Sequence, residues 1–146
     1  MLRIVAGVAC VCLVSHPRDI GKAPILPTQS SSVVERDSTV ARLEPGPHNG
    51  GGQSTAYSFF AHSPHLGLVF RKRALHRGAA IGYHRQDEDE IYYILNGSGE
   101  LTLDGVKSTI GPGTAILTRS GSSHGLRQLG DDDLVLIIAY QQPSTR

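Results

Sequence analysis

After Gly52 the apolar runs of this chain are short, and each ends at a glycine, a proline or an acidic break. Ala56 to Ala61, Leu66 to Lys72, Ala79 to Tyr83, Ile91 to Leu95, Glu100 to Leu103, Val106 to Ile110, Thr114 to Thr118 and Gly125 to Leu129 are alternating or apolar. Leu134 to Tyr140 is continuously apolar and reads as a buried strand. A helix needs apolar residues returning every three or four positions, and no useful length of that pattern occurs here. Short strands separated by turn residues predict an all-β domain, either a sandwich or a barrel. Asp104-Gly105 lies between two such runs and predicts a tight hairpin whose turn residues take positive φ. The 17 glycines, 8 prolines and absence of tryptophan suit the same turn-rich class.

The chain has 146 residues, enough for one domain with its own hydrophobic core. A net charge of +1 supplies no bulk field, so neither nucleic acid nor an anionic membrane is an expected partner. Cys10 and Cys12 lie in one apolar run and make no disulfide framework; they read as small apolar residues in a hydrophobic leader. Residues 1–15 have a basic start and an apolar core of signal-peptide length, too short to span a membrane, followed by a poor cleavage region. The expected location is the cytoplasm, with the periplasm or secretion as the alternative if residues 1–15 act as a signal. Residues 16–52 are rich in proline, serine and glycine and read as an arm or linker, with possible short edge strands at Val33-Val34 and Val40 to Leu43. Residues 53–146 form the expected barrel domain.

Within that domain one stretch concentrates chemistry. His84 and Gln86 are two apart and share one face of an extended strand. Glu90 follows the acidic step Asp87-Glu88-Asp89 and opens the next strand, so a turn between the strands would fold it back toward the other two. An imidazole, an amide oxygen and a carboxylate make most of a site for a borderline divalent ion, and His124, in a second glycine-rich segment, offers a fourth ligand. Strict alternation would place Gly82 and Ala80 on the His84 side and Ile81 and Tyr83 on the opposite side. Tyr92 and Ile94 would follow Glu90 inward. Asp87, Glu88 and Asp89 read as a solvated turn, Arg71-Lys72-Arg73 as a solvated strand end, Arg119 as an exposed arginine and His48 as a solvated residue of a glycine-rich tip. His62, His65 and His76 have no partner spacing.

The two segments resemble the motifs of the cupin superfamily. Gly78, His84, Gln86, Glu90 and Gly97 fall on the first motif in register, with glutamine where the second histidine usually stands. Gly113, Arg119, Gly121, His124 and Gln128 fall on the second, with arginine replacing its proline and glutamine its final asparagine. The resemblance implies a double-stranded β-helix, the jelly-roll barrel, with an irregular N-terminal arm. It implies His84, Gln86, Glu90 and His124 as ligands of a divalent transition metal (Fe, Zn, Mn or Ni), and a homodimer in which such an arm packs across the partner. Glu90 and Tyr92 are the candidate catalytic residues. The implied function is that of a small-molecule enzyme of dioxygenase, isomerase or cyclase type, near the polyketide-synthesis cupins of the TcmJ type. The alternative is a non-catalytic module that binds metal and ligand.

Overall fold

The computed structural model describes residues 32–142; expectations for residues 1–15 lie outside them. A single helical turn, α1 (Asp37–Val40), precedes ten strands: β1 (Ala41–Pro45), β2 (Gln53–Phe59), β3 (Leu68–Leu75), β4 (Ala80–Arg85), β5 (Glu90–Asn96), β6 (Ser98–Leu103), β7 (Val106–Ile110), β8 (Ala115–Thr118), β9 (Ser123–Leu129) and β10 (Leu134–Gln141). They form a six-stranded sheet in the order β1-β2-β3-β10-β5-β8 and a four-stranded sheet in the order β4-β9-β6-β7, with every pairing antiparallel. The all-β jelly-roll expectation holds.

Local chemistry explains most of the boundaries. The β6–β7 hairpin turns on Asp104 (φ 47°) and Gly105 (φ 82°), the pair of positive angles that a two-residue turn needs to match strand twist. β5 alternates buried and exposed positions, with Glu90, Tyr92 and Ile94 inside and Ile91, Tyr93 and Leu95 outside, as the alternation at Glu90 predicts. β10 sits between β3 and β5 and buries Leu134, Leu136 and Ile138. These residues join Leu75, Ile81, Tyr92, Ile94, Leu101, Ile116 and Leu126 in one core between the sheets. Each such aliphatic side chain contributes about 1.5–3 kcal/mol on leaving water.

Two expectations are corrected by the tertiary structure. The Arg71-Lys72-Arg73 run is not a solvated strand end. Only Lys72 faces outward, where it pairs with Asp37 and lies over the Tyr57 ring, whereas Arg73 is 4% exposed and Arg71 half-buried on the inner face of β3. Arg73 is satisfied there by Ser54 Oγ at 2.7 Å and Glu44 Oε1 at 2.6 Å, which ties edge strand β1 to the sheet.

The second correction concerns which face β4 presents. Ile81 pairs with Leu126 and His84 with His124, so Gly82 and Tyr83 together stand opposite the single residue Gly125. This β-bulge resets the parity of the strand. Ile81 and His84 consequently both face the core side, Tyr83 is exposed, and Gly82 does not share the His84 face. The outer side of the bulge is covered by residues 46–52: Gly82 N donates to the Pro47 carbonyl at 2.9 Å and Ala80 N to the Gly51 carbonyl at 3.1 Å.

Candidate functional site

A cavity of about 320 Å³ opens between the sheets and is lined by His84, Gln86, Glu90 and Tyr92 together with His48, Arg71 and Ile81. The bulge delivers His84, the end of β4 delivers Gln86, and the first residue of β5 delivers Glu90. His124 comes from β9, directly opposite His84. The four ligand candidates thus lie in one region, reached from three strands and one turn.

The imidazoles are held from behind. His84 Nδ1 lies 2.8 Å from the Gly82 carbonyl, which can only accept; Nδ1 therefore carries a proton, and in the neutral ring Nε2 is the atom with the lone pair. His124 is 1% exposed, and its Nδ1 meets Thr118 Oγ1 at 2.6 Å. Its Nε2 lies 3.2 Å from Tyr92 Oη and 3.2 Å from Glu90 Oε2. The contact with Glu90 is close but not aligned as a hydrogen bond, and Glu90 Oε2 is a fully buried oxygen with no hydrogen-bond partner among the described residues. The rings of His84 and His124 approach edge to face at 4.7 Å.

His48 is nearer to this chemistry than its glycine-rich setting suggests. One face remains exposed, but its ring stacks on that of His84 with centroids 3.5 Å apart and planes 6° from parallel. Its pKa is lowered, first by partial burial and then by His84. Tyr92 is 3% exposed, and its pKa is raised well above the phenolic range, first by burial and then by the negative charge of Glu90, so the phenol is neutral and able to donate.

The other polar residues stand apart from the centre. Arg119 is an exposed partner of Asp89 at 3.1 Å, as its reading predicts. Ser120 N donates to Asp89 Oδ1 and Ser120 Oγ to the Asp87 carbonyl, so this acidic turn is stitched to the β8–β9 connection. Gln128 is 3% exposed and caps two loops, accepting from Gly78 N and donating to the carbonyls of Leu129, Gly130 and Asp132. His76, just past β3, bridges Thr55 Oγ1 of β2 at 2.9 Å and Asp133 Oδ2 of the β9–β10 connection at 3.0 Å, a partnership between residues distant in the chain that sequence spacing does not reveal. Sequence reasoning missed His48, Arg71 and Thr118 as neighbours of the site. None is set at a motif spacing; only the glycine-rich context of His48 offered a signal.

Residues 73–140 match the family model described as a cupin domain, and the matched segment contains all four ligand candidates. The chain carries a cupin domain. The Oxalate-binding protein of Thermotoga maritima is 37% identical over 67 residues, covering 45% of this chain and 55% of that protein, so the alignment spans about half the length of this curated relative. The crystal structure of a predicted oxalate decarboxylase from Thermotoga maritima superposes with a TM-score of 0.69 at 27% identity, covering 75% of this cupin chain and 98% of the other. An RmlC-like cupin from Shewanella frigidimarina gives a TM-score of 0.60 at 18% identity over 81% of this chain and 97% of its own, a likeness of fold alone.

Among the described residues no group of three or more His, Cys, Asp or Glu side chains is already gathered around a single ion position. His124 and Glu90 nevertheless stand 3.2 Å apart. Two donors bound to one ion at about 2.1 Å, at angles between square and tetrahedral, lie about 3.0–3.4 Å from each other. The orphaned Glu90 oxygen and the imidazole of His84, which lines the cavity, are donors of the kind that a divalent ion satisfies, and to that extent the residues fit a metal. His84 stacks on His48 on one side and meets the His124 ring edge to face at 4.7 Å on the other.

Proposed function

We propose that this cupin holds a divalent metal through His84, Glu90 and His124, with the Gln86 amide oxygen as fourth ligand, and acts there on a small oxygenated anion. The observation that carries the reading is Glu90 Oε2, a buried carboxylate oxygen without a hydrogen-bond partner among the described residues, 3.2 Å from His124 Nε2. Burying such a group unpaired costs about 1–3 kcal/mol or more, and a cation between carboxylate and imidazole removes that cost. Two imidazoles with one carboxylate suit Fe(II) and also accommodate Zn(II), Mn(II) or Ni(II). A metal of this kind would act as a Lewis acid on an oxygen of the ligand.

The surrounding side chains have separate tasks in this reading. The Gly82 carbonyl and Thr118 hydroxyl fix the two imidazoles by their Nδ1 atoms, as outer-shell partners of metal ligands do. Tyr92, held neutral, presents a proton donor beside His124, and Glu90 places the one negative charge of the ligand set. One carboxylate against a divalent ion leaves the site with net positive charge, which favours an anionic oxygen ligand. Catalysis of dioxygenase, isomerase or cyclase type is the first form of the proposal. Binding without turnover is the second, and the name of the Thermotoga oxalate-binding relative favours it. The exposed row Ile91, Tyr93, Leu95 and Leu117 on the outer face of the six-stranded sheet is the proposed homodimer surface, and a monomer mass by light scattering would remove that part.

Elemental analysis of protein purified without chelator or nickel resin tests the reading. Wild type is expected to carry close to one divalent ion per chain and His84→Ala or His124→Ala to lose most of it, while Gln86→His keeps it. Full occupancy in either histidine variant would overturn the ligand assignment. Turnover lost with binding retained in Glu90→Gln would favour the enzyme over the binder.

A further inference from the structure

The cavity wall opposite the histidines carries a cation that has no neutralising partner among the described residues. Arg71 and Arg73 alternate on β3 and both face the cavity. Arg73 has its partners in Ser54 and Glu44. Arg71 forms no salt bridge among the described residues, and its Nε is completely buried without a hydrogen-bond partner. Its guanidinium carbon lies 5.9 Å from the centre of the Tyr140 ring, whose face helps to hold it in place. A buried guanidinium N–H without a protein partner is a rare donor, open to an acceptor from water or a ligand.

Strand register locates this cation relative to the metal end. Arg71 pairs with Ile138, and Ile138 pairs with Tyr92 on its other side. Directly paired residues share a face, so Arg71 and Tyr92 both rise into the cavity from Cα positions two strand spacings apart, about 10 Å. Tyr92 Oη touches His124 Nε2. The cavity therefore holds the ligand candidates His84, Gln86 and Glu90 together with a guanidinium that is unpaired among the described residues, two strands from Tyr92, with apolar Ile81 and Ile138 lining the same cavity.

We infer that Arg71 is an anion anchor that receives a carboxylate of the ligand away from its metal-facing end, so that the site takes two-ended carboxylates. A guanidinium meets a carboxylate through parallel N–H donors, a geometry that lysine cannot reproduce. Oxalate, whose two carboxylates are joined directly, could place both ends at the metal; a dicarboxylate or keto acid with a carbon spacer could use both sites. This inference rests on the proposed metal centre for the position of the other end of the ligand, but the anchor itself does not need the ion.

The test combines metal analysis with calorimetric titration of oxalate, malonate and succinate, and of neutral malonamide and succinamide, into wild type, Arg71→Gln and Arg71→Lys. Arg71→Gln is expected to keep its metal and to lose about 10- to 100-fold in affinity for the spaced dicarboxylates, the usual loss for one charged hydrogen-bonded partner. Arg71→Lys should lose less, and the neutral diamides should not distinguish the three proteins. In parallel, the Arg71 Nε–H resonance of metal-free wild type should shift when succinate or malonate saturates it, which keeps the anchor testable if Arg71→Gln fails to fold. Equal dicarboxylate affinity in Arg71→Gln and wild type, or an unmoved Nε–H resonance, would overturn the inference. So would a wild type that binds no dicarboxylate with or without metal. Absence of metal from wild type, with the dicarboxylate shift intact, would instead overturn the metal centre and leave the anchor standing.

Discussion

Gly82→Ala is the perturbation that most directly tests how the site is built. A methyl at Gly82 would fall 1.9 Å from the His48 carbonyl oxygen and 2.8 Å from its carbonyl carbon, both backbone atoms that no rotamer change can move aside. Residues 46–52 must therefore lift from β4, and the hydrogen bonds Gly82 N to Pro47 O (2.9 Å) and Ala80 N to Gly51 O (3.1 Å) are strained or lost. Each contributes about 1 kcal/mol, and a buried donor left unpaired adds about 1–3 kcal/mol. Reduced freedom of the unfolded chain returns about 0.4–1 kcal/mol. The expected net loss is about 2–4.5 kcal/mol. Gly78→Ala is the control, since Gly78 has φ 74° but open space around its Cβ; its cost is the left-handed backbone alone, about 1–2 kcal/mol. Urea denaturation followed by circular dichroism, with unchanged m-values, measures both. A Gly82→Ala loss below about 0.5 kcal/mol, or one smaller than that of Gly78→Ala, would refute the claim that close backbone approach seats this loop.

Two further perturbations separate the roles of the site's neighbours. His48→Phe should preserve the stack on His84 while His48→Ala removes it; the alanine variant is expected to release metal to a chelator several-fold faster, and equal release rates in all three proteins would show that His48 does not position His84. Tyr92 has a folded-state pKa raised above that of an exposed phenol, so its burial stabilises the protein fully below about pH 10, where unfolded phenols are neutral. That stability is lost as the pH rises past the unfolded value, because the unfolded chain then releases a proton that the folded one retains. Tyr92→Phe should flatten the alkaline decline in melting temperature, and an unchanged decline would assign it to other groups.

The sequence by itself determined the class of fold and the spacing of the site. Period-two alternation, glycine breaks and the Asp104-Gly105 turn are local, and β2 to β10 appear within a few residues of the runs that predict them. His84, Gln86, Glu90 and His124 are readable because their framing glycines keep motif spacing. Other facts depend on which strand lies beside which. The parity of β4 could not be read locally, because the bulge is defined by Gly125 on β9, more than forty positions away. Arg71 and Arg73 looked like a solvated basic run, since nothing nearby in sequence announces Ser54, Glu44 or the cavity. His48 looked solvated because its partner His84 is reached only when the glycine-rich loop closes over Gly82. Strand periodicity and turn chemistry are properties of neighbouring residues, whereas facing, burial and charge pairing arise from contacts between distant ones, and only the assembled barrel brings those together.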